Sequence, residues 1–258
     1  MNERIVVISV IRDHAIYKRL IENNPNLGGC VLVPIDNSED NKAIPVRYNR
    51  FLSDYDYDKP AWFVFCHEDY EFLEPLQPVL SNRDKNALYG QIGAITVKRF
   101  GFLHQWQFCG IITGSARDGG NKMKVGCECP ALTPVDTFDC CCMAVHSDTV
   151  KRTGLRFDEK LTYDLYIEDF CINAKVSHGI PSLILPCKVH HYSDSLPKAR
   201  YYQREKYINS KYRSGWFTST SSFYLGNPPL FLRIESAVKR WILKHCGGLA
   251  DFLRRLIS

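Results

Sequence analysis

Residues 4–11 read RIVVISVI, an almost unbroken apolar and β-branched run. That pattern predicts a parallel strand covered on both faces. Residues 13–23 (DHAIYKRLIEN) change to a helical spacing, with Ile16, Leu20 and the neighbouring Ile21 on one side. Residues 30–35 (CVLVPI) predict a second strand that ends at Asp36-Asn37-Ser38, and residues 45–54 predict a helix. Residues 61–66 (AWFVFC) predict a third buried strand that ends at His67-Glu68-Asp69. A β-α-β-α-β opening predicts an α/β domain, with a largely parallel central sheet and helices on both faces. In such sheets ligands bind beyond the carboxyl ends of the strands. The polar clusters after strands two and three fall there.

Further along, residues 90–97 (GQIGAITV) predict another strand. Residues 98–134 are irregular and rich in glycine and aromatics, with a turn at Asp118-Gly119-Gly120, and read as a loop-and-hairpin insertion. A strand-like pattern returns at 135–146. An acidic cluster and a short helix occupy 157–178, and a late strand at 182–189 delivers His190 and His191. Residues 215–230 are turn-rich. Beyond them Ile234, Val238, Trp241, Ile242, His245, Leu249, Phe252, Leu253 and Leu256 recur at steps of three and four among basic residues. Gly247-Gly248 divides this tail into two expected helices. The expected organisation is one domain over 1–215, followed by a linker and basic amphipathic helices over 216–258.

Charge sharpens this division. The 258-residue chain carries a formal +5, and residues 233–258 supply +4 of it, with six Lys/Arg against two acids. The remainder is nearly neutral and shows no basic stripe, which argues against nucleic acid as a partner. A basic helix with Trp and Phe on one face has the composition of an interfacial helix on an anionic membrane, and packing of that helix on the domain is the competing reading. The 11 cysteines are odd in number and include the adjacent Cys140, Cys141 and Cys142. With no cleavable leader in MNERIVVISVIRDH, the expectation is reduced thiols in a cytoplasmic protein. No apolar run reaches the roughly 20 residues needed to span a bilayer.

Three clusters could carry chemistry. His67-Glu68-Asp69 ends a buried strand and offers oxygen and nitrogen ligands at one sheet edge. A divalent ion bridging a diphosphate needs only one or two such protein ligands, although a solvated loop also explains the acids. Asp164-Leu165-Tyr166-Ile167-Glu168-Asp169 either caps a helix start or supplies a base for a hydroxyl nucleophile. His190 and His191 point to opposite sides of an extended segment, so one of them could reach a metal.

The ordered series of segments IVVISV, PIDNS, VRYNRFLSD, WFVFCHEDYEF, GQIGAITV, VDTFDCCCMAVHSD, LRFDEKLTYDLYIEDFCINAKVSHGI and VHHYSDS resembles bacterial family-2-like glycosyltransferases of the GT-A fold. The resemblance covers about residues 4–195. It implies that His67 and Asp69 occupy the outer positions of a D-x-D-type metal and diphosphate motif, in its H-x-D form. It implies nucleotide-sugar contacts at Ser9, Asp36, Asn37 and Asn49, and contacts to donor sugar or acceptor at Asp139 and Tyr166. Asp169 matches the base position, with Glu168 its neighbouring rival, and His191 matches a late histidine that completes the metal site with Asp69 and His67. The implied cofactor is Mn2+ or Mg2+. The implied activity is inverting transfer of a sugar from a nucleoside diphosphate sugar to a hydroxyl of a glycan or lipid-linked acceptor in surface polysaccharide synthesis. The implied place is the inner face of the plasma membrane. Because His67 replaces an acid, a non-catalytic nucleotide- or glycan-binding module on the same scaffold is the alternative.

Overall fold

The computed structural model describes residues 3–99, 103–115, 123–193 and 199–245. The chain opens with β1 (Ile5–Ile11), α1 (His14–Tyr17, wound on through a π-helical turn at Lys18–Glu22), β2 (Val31–Asp36), α2 (Ile44–Asp54) and β3 (Trp62–Cys66). Asp13 starts α1, its carboxylate accepting the Ala15 and Ile16 N–H groups. β1 runs parallel to both β2 and β3, with Ile8 opposite Val33 and Phe65.

Every residue of β1 is buried. Val6, Ile8 and Val10 pack on one face with Phe63, Phe65 and Tyr48, while Ile5, Val7 and Ile11 pack on the other with Trp62, Val64 and Tyr17. Two-sided burial is the reason the strand has no polar alternation. β2 lies at the sheet edge and is more exposed.

After β3 come β4 (Tyr70–Phe72), α3 (Leu76–Leu80), β5 (Leu88–Gly90), β6 (Ile92–Arg99), β7 (Leu103–Ser115) and β8 (Met123–Cys127). Then follow β9 (Pro134–Val135), β10 (Thr137–Phe138), β11 (Cys142–His146), α4 (Ser147–Thr153), α5 (Tyr166–His178), β12 (Ser182–Ile184) and β13 (Val189–Tyr192). The chain continues through α6 (Ala199–Lys211), β14 (Trp216–Ser219), β15 (Phe223–Gly226) and α7 (Leu230–His245).

The central sheet has the order β2-β1-β3-β11-β5-β12-β9. Its first three strands are parallel, and β11 enters antiparallel to both β3 and β5. The chain leaves β1 toward β2 on one side and returns to β3 on the other. This reversal opens a crevice at the carboxyl ends of β1 and β3, where α/β sheets take ligands. The architecture is the α/β one expected, built on a mixed central sheet in which β11 and β9 run antiparallel to their neighbours.

The segment expected as a loop-and-hairpin insertion forms much of a second sheet, β10-β6-β7-β13-β4, with β8 paired to β7. The turn at Asp118-Gly119-Gly120 lies outside the described residues. In this sheet β13 pairs with β4, placing His191 opposite Tyr70, one residue beyond Asp69. The turn-rich stretch expected to begin a separate appendage is the β14–β15 hairpin, and the domain body holds it. Thr218 donates its N–H and hydroxyl to Asp136 (3.0 and 2.7 Å), Thr137 donates to the Thr218 carbonyl, and the Trp106 indole donates to the Ser219 carbonyl. α7 follows, and the helix expected after Gly247-Gly248 lies outside the described residues. Among the described residues no helix is long and apolar enough to cross a membrane.

Gly110 sits at φ +85°, and a Cβ there would lie 2.0 Å from the Gln91 carbonyl oxygen. Gly110→Ala therefore strains the backbone and forces β6 and β7 apart. We expect a loss of about 2 kcal/mol or more of folding stability, read as a lower urea midpoint.

Candidate active site

β1 and β3 end side by side, and Glu68 joins them. Its nearly buried carboxylate accepts the backbone N–H groups of Arg12 and Asp13, the latter at 2.9 Å. The middle residue of His67-Glu68-Asp69 thus fixes the turn that leaves β1. Beyond this junction lies a cleft of about 420 Å³ whose walls include Arg12, Asn37, His67, Asp69, Asp139 and Glu168.

The imidazole of His67 is held from behind. Tyr166, fully buried, donates its hydroxyl proton to the Cys140 carbonyl (3.1 Å) and lies 2.9 Å from His67 Nε2. A tyrosine has one proton to give. Where that proton serves the carbonyl, the imidazole donates from Nε2; its Nδ1 lies 3.8 Å from Asp69 Oδ1. On the other side His191 Nε2 approaches Asp69 Oδ1 at 3.2 Å. His190, its neighbour, turns the opposite way and pairs with buried Ser115 at 2.8 Å, as alternation along a strand requires.

His67, Asp69 and His191 present ligand atoms within 4.8 Å of one another. Two imidazoles and a carboxylate could hold a borderline divalent ion, and the Tyr166 contact orients one of them as an outer shell should. Asp139, Cys141 and His191 also converge within that distance. Burial drives the Cys141 thiol well above its ordinary range, which disfavours the thiolate a metal needs. The His67-Asp69-His191 set is the better cation site.

The adjacent carboxylates Glu168 and Asp169 part company at the start of α5. Leu165, just before the helix, takes a left-handed conformation at φ +64° that sets the direction of entry. Glu168 faces the cleft. It is fully buried, and neither carboxylate oxygen meets a hydrogen-bond donor at normal geometry among the described residues. Burial, reinforced by the charge of Asp139, pushes its carboxyl up to about 8, despite a weak interaction with the Cys140 thiol. Asp169 faces away from the cleft. It receives Lys211 Nζ at 2.8 and 3.0 Å and the Tyr212 hydroxyl at 2.9 Å. Of the two carboxylates expected from the sequence, Glu168 lines the cleft and Asp169 does not, because successive side chains on a helix point about 100° apart.

The other expected residues separate likewise. Asn37, buried at the cleft wall, holds the Lys42 backbone through two hydrogen bonds. Asp139 lines the cleft and accepts the Thr220 hydroxyl at 2.8 Å. Asp36 lies outside the lining on the exposed end of β2, 3.4 Å from His14. Ser9 is buried within β1 against Cys66 Sγ at 3.3 Å. Asn49 clamps the Phe157 backbone, donating to its carbonyl and accepting its N–H, both at 2.9 Å. Ser9, Asn49 and Tyr166 support the site without lining it. Sequence reasoning missed Arg12 and Arg200, which bring positive charge to the cleft, and Tyr201 and Ser221 on its far wall. None belongs to a spaced motif, and only the fold assembles them.

No protein-family model and no curated protein matches the chain. Among solved structures it is similar to the crystal structure of GalNAc-T7 with UDP, GalNAc and Mn2+, with a TM-score of 0.49 and 11% identity over 83% of this chain. The chain spans 50% of that chain.

The two adjacent carboxylates have opposite expected effects on stability. Asp169→Asn removes the charge that compensates half-buried Lys211. It should cost about 2 kcal/mol, discounted for the solvent that reaches the lysine. Glu168→Gln acts the other way. An unfolded glutamate titrates near 4.5 and the folded one near 8. Between those values the folded chain keeps a proton that the unfolded chain releases, so this group's contribution falls as pH rises from 4.5 to 8. At pH 8 and above Glu168→Gln should therefore melt higher than the parent chain, by roughly 2–4 °C for each kcal/mol recovered. Thermal melts of both variants at pH 5 and pH 9 check this.

Proposed function

We propose that the chain is a nucleotide-sugar-dependent glycosyltransferase that transfers a sugar to a hydroxyl acceptor with inversion. The observation that supports it is the meeting, in one cleft at a strand-order reversal, of a cation-binding triad and a buried carboxylate with a raised pKa. Cation ligands suit a diphosphate, and a carboxyl titrating near neutrality suits proton abstraction.

In this reading the nucleoside diphosphate lies beyond the ends of β1 and β3, with Arg12 and Asn37 beside it. His67, Asp69 and His191 would hold a divalent ion, which would supply positive charge to neutralise the diphosphate. Arg12 adds a second positive group near the same phosphates. The acceptor hydroxyl approaches from the side of Glu168. Its oxygen forms a bond to the anomeric carbon as the bond from that carbon to phosphate breaks. The bonding pair departs with the diphosphate, and the hydroxyl proton passes to a Glu168 carboxylate oxygen. Asp139 raises the proton affinity of Glu168 and, fixed by Thr220, is placed to receive a sugar hydroxyl. Asp36 lies at the open edge of the nucleotide end, where a ribose or base could meet it. The sugar, the nucleotide and a role in surface polysaccharide assembly belong to the same proposal, as does action at the cytoplasmic membrane face.

A panel of nucleoside diphosphate sugars, assayed for transfer or slow hydrolysis with and without Mn2+ or Mg2+, tests the reading. Release of one nucleoside diphosphate supports it; binding with no turnover for any donor points to a non-catalytic module. Glu168→Gln should lower turnover by roughly 10²–10⁴-fold with donor affinity nearly unchanged. The parent rate should rise with pH through about 8, because only the ionised carboxylate accepts the proton. Asp169→Asn should leave the rate of the folded fraction close to that of the parent. Asp69→Ala should abolish the effect of Mn2+ on donor affinity, measured by calorimetry.

A further inference from the structure

α7 is amphipathic in the inverted sense. The side packed on the domain carries Leu232 and Ser236 together with two ion pairs, Lys239 with Glu235 and Arg240 with Glu205. The side turned outward carries Leu230, Ile234 and Val238, exposed by 71, 56 and 50%. These three recur at a spacing of four, and Trp241, 59% exposed, continues the row. A helix that only covered a domain would turn this row inward.

Positive charge borders the row. Arg233 donates to the Pro228 carbonyl and to Asn227, both neutral, and among the described residues no carboxylate pairs with it. Arg213 opens onto the same cavity of about 730 Å³ between α6, the hairpin and α7. In the sequence Lys244, Arg254 and Arg255 add three further cations downstream. Over its described residues the helix is not long and apolar enough to cross a bilayer. Lying flat, it would bury the apolar row and leave arginines at headgroup depth, as an interfacial helix does.

We infer that the outer face of α7, with Arg213 and Arg233 at its foot, docks the protein on an anionic phospholipid surface. The occupant is a bilayer because the row is apolar along its length while its borders are cationic. A second protein copy would have to bring matching acidic borders, and α7 itself has only Glu235, which is already paired inward. The inference stands whether or not the cleft transfers sugar.

The test is co-sedimentation of the full chain with vesicles of phosphatidylcholine alone, or of phosphatidylcholine mixed with phosphatidylglycerol. Partitioning into the mixed vesicles should be at least about tenfold greater, with each basic residue near the surface contributing to the attraction. It should weaken as salt is raised. The double variant Ile234→Glu, Val238→Glu should lose most of the binding while its melting temperature stays unchanged, since both positions face outward. Equal binding to both vesicle types overturns the inference, as does binding undiminished by the double variant. Two further outcomes also overturn it. One is a dimer in light scattering that the variant dissociates, which would make a second copy the occupant. The other is a lowered melting temperature in the variant with no vesicle binding by the parent chain, which would mean the chain's own residues 246–258 cover the row.

Discussion

The pairing of β1 with β3 is the constraint on which the rest of the site depends. Both strands are apolar on both faces, so a slip of the register by one residue would move large side chains between two different cores. That exchange is forbidden by volume as well as by burial, since Trp62 and Phe63 point into opposite layers. The fixed register brings the carboxyl ends of the strands level. Glu68 then closes the gap through the Arg12 and Asp13 amides. His67 and Asp69, on either side of Glu68, inherit their positions from this junction. β13 supplies His191 only because β4 leaves directly from Asp69 and gives it a partner strand.

The two acids at the start of α5 show how one sequence feature divides between a paired charge and a cleft-facing carboxyl. Asp169 is buried with a cation and a hydroxyl to meet it, so its charge is held and α6 is tied to α5. Glu168 is buried with no comparable partner, and the neighbouring Asp139 makes ionisation harder. A folded domain tolerates such a group only when the remaining structure determines its position. The left-handed Leu165, itself buried, is part of that determination. The desolvation that makes Glu168 costly to ionise is the same physical fact that raises its proton affinity to about pH 8.

The sequence displayed the first three strands clearly because two-sided burial leaves a simple apolar run. It displayed His67, Asp69 and His191 because polar clusters at strand ends stand out against such runs. Glu168 and Asp169 were visible as a pair, but not which one entered the cleft. Helix phase depends on the residue before the first turn, and a left-handed leucine has no composition signal. The resemblance implied nucleotide contacts at Asn49 and Ser9, and each of them satisfies an interior need: one clamps a loop and the other meets a cysteine sulfur. The second sheet was the least legible part. β7 pairs with its sequence neighbours β6 and β8 but also with the distant β13, and its irregular composition reads locally as loop.

The C-terminal segment is joined to the cleft through three residues. Thr220 donates to Asp139, Ser222 shares a hydrogen bond with Tyr201, and Arg240 of α7 donates to the Ser222 carbonyl at 2.8 Å. Tyr201 and Ser221 line the cleft from this turn and from α6. The same Arg240 is anchored by Glu205, so α6 and α7 grip the turn from both sides. A hairpin of four-residue strands has little stability alone. Its conformation comes from Asp136 and Thr137 on one side and from α7 on the other. The wall of the cleft on the Asp139 side is therefore set by a helix whose outer face is apolar. Arg240 and Asp139 each hold the same turn, one through the Ser222 carbonyl and the other through Thr220, two residues before it. Over the described residues the outer surface of α7 and the carboxylates of the cleft are thus joined through one packed structure.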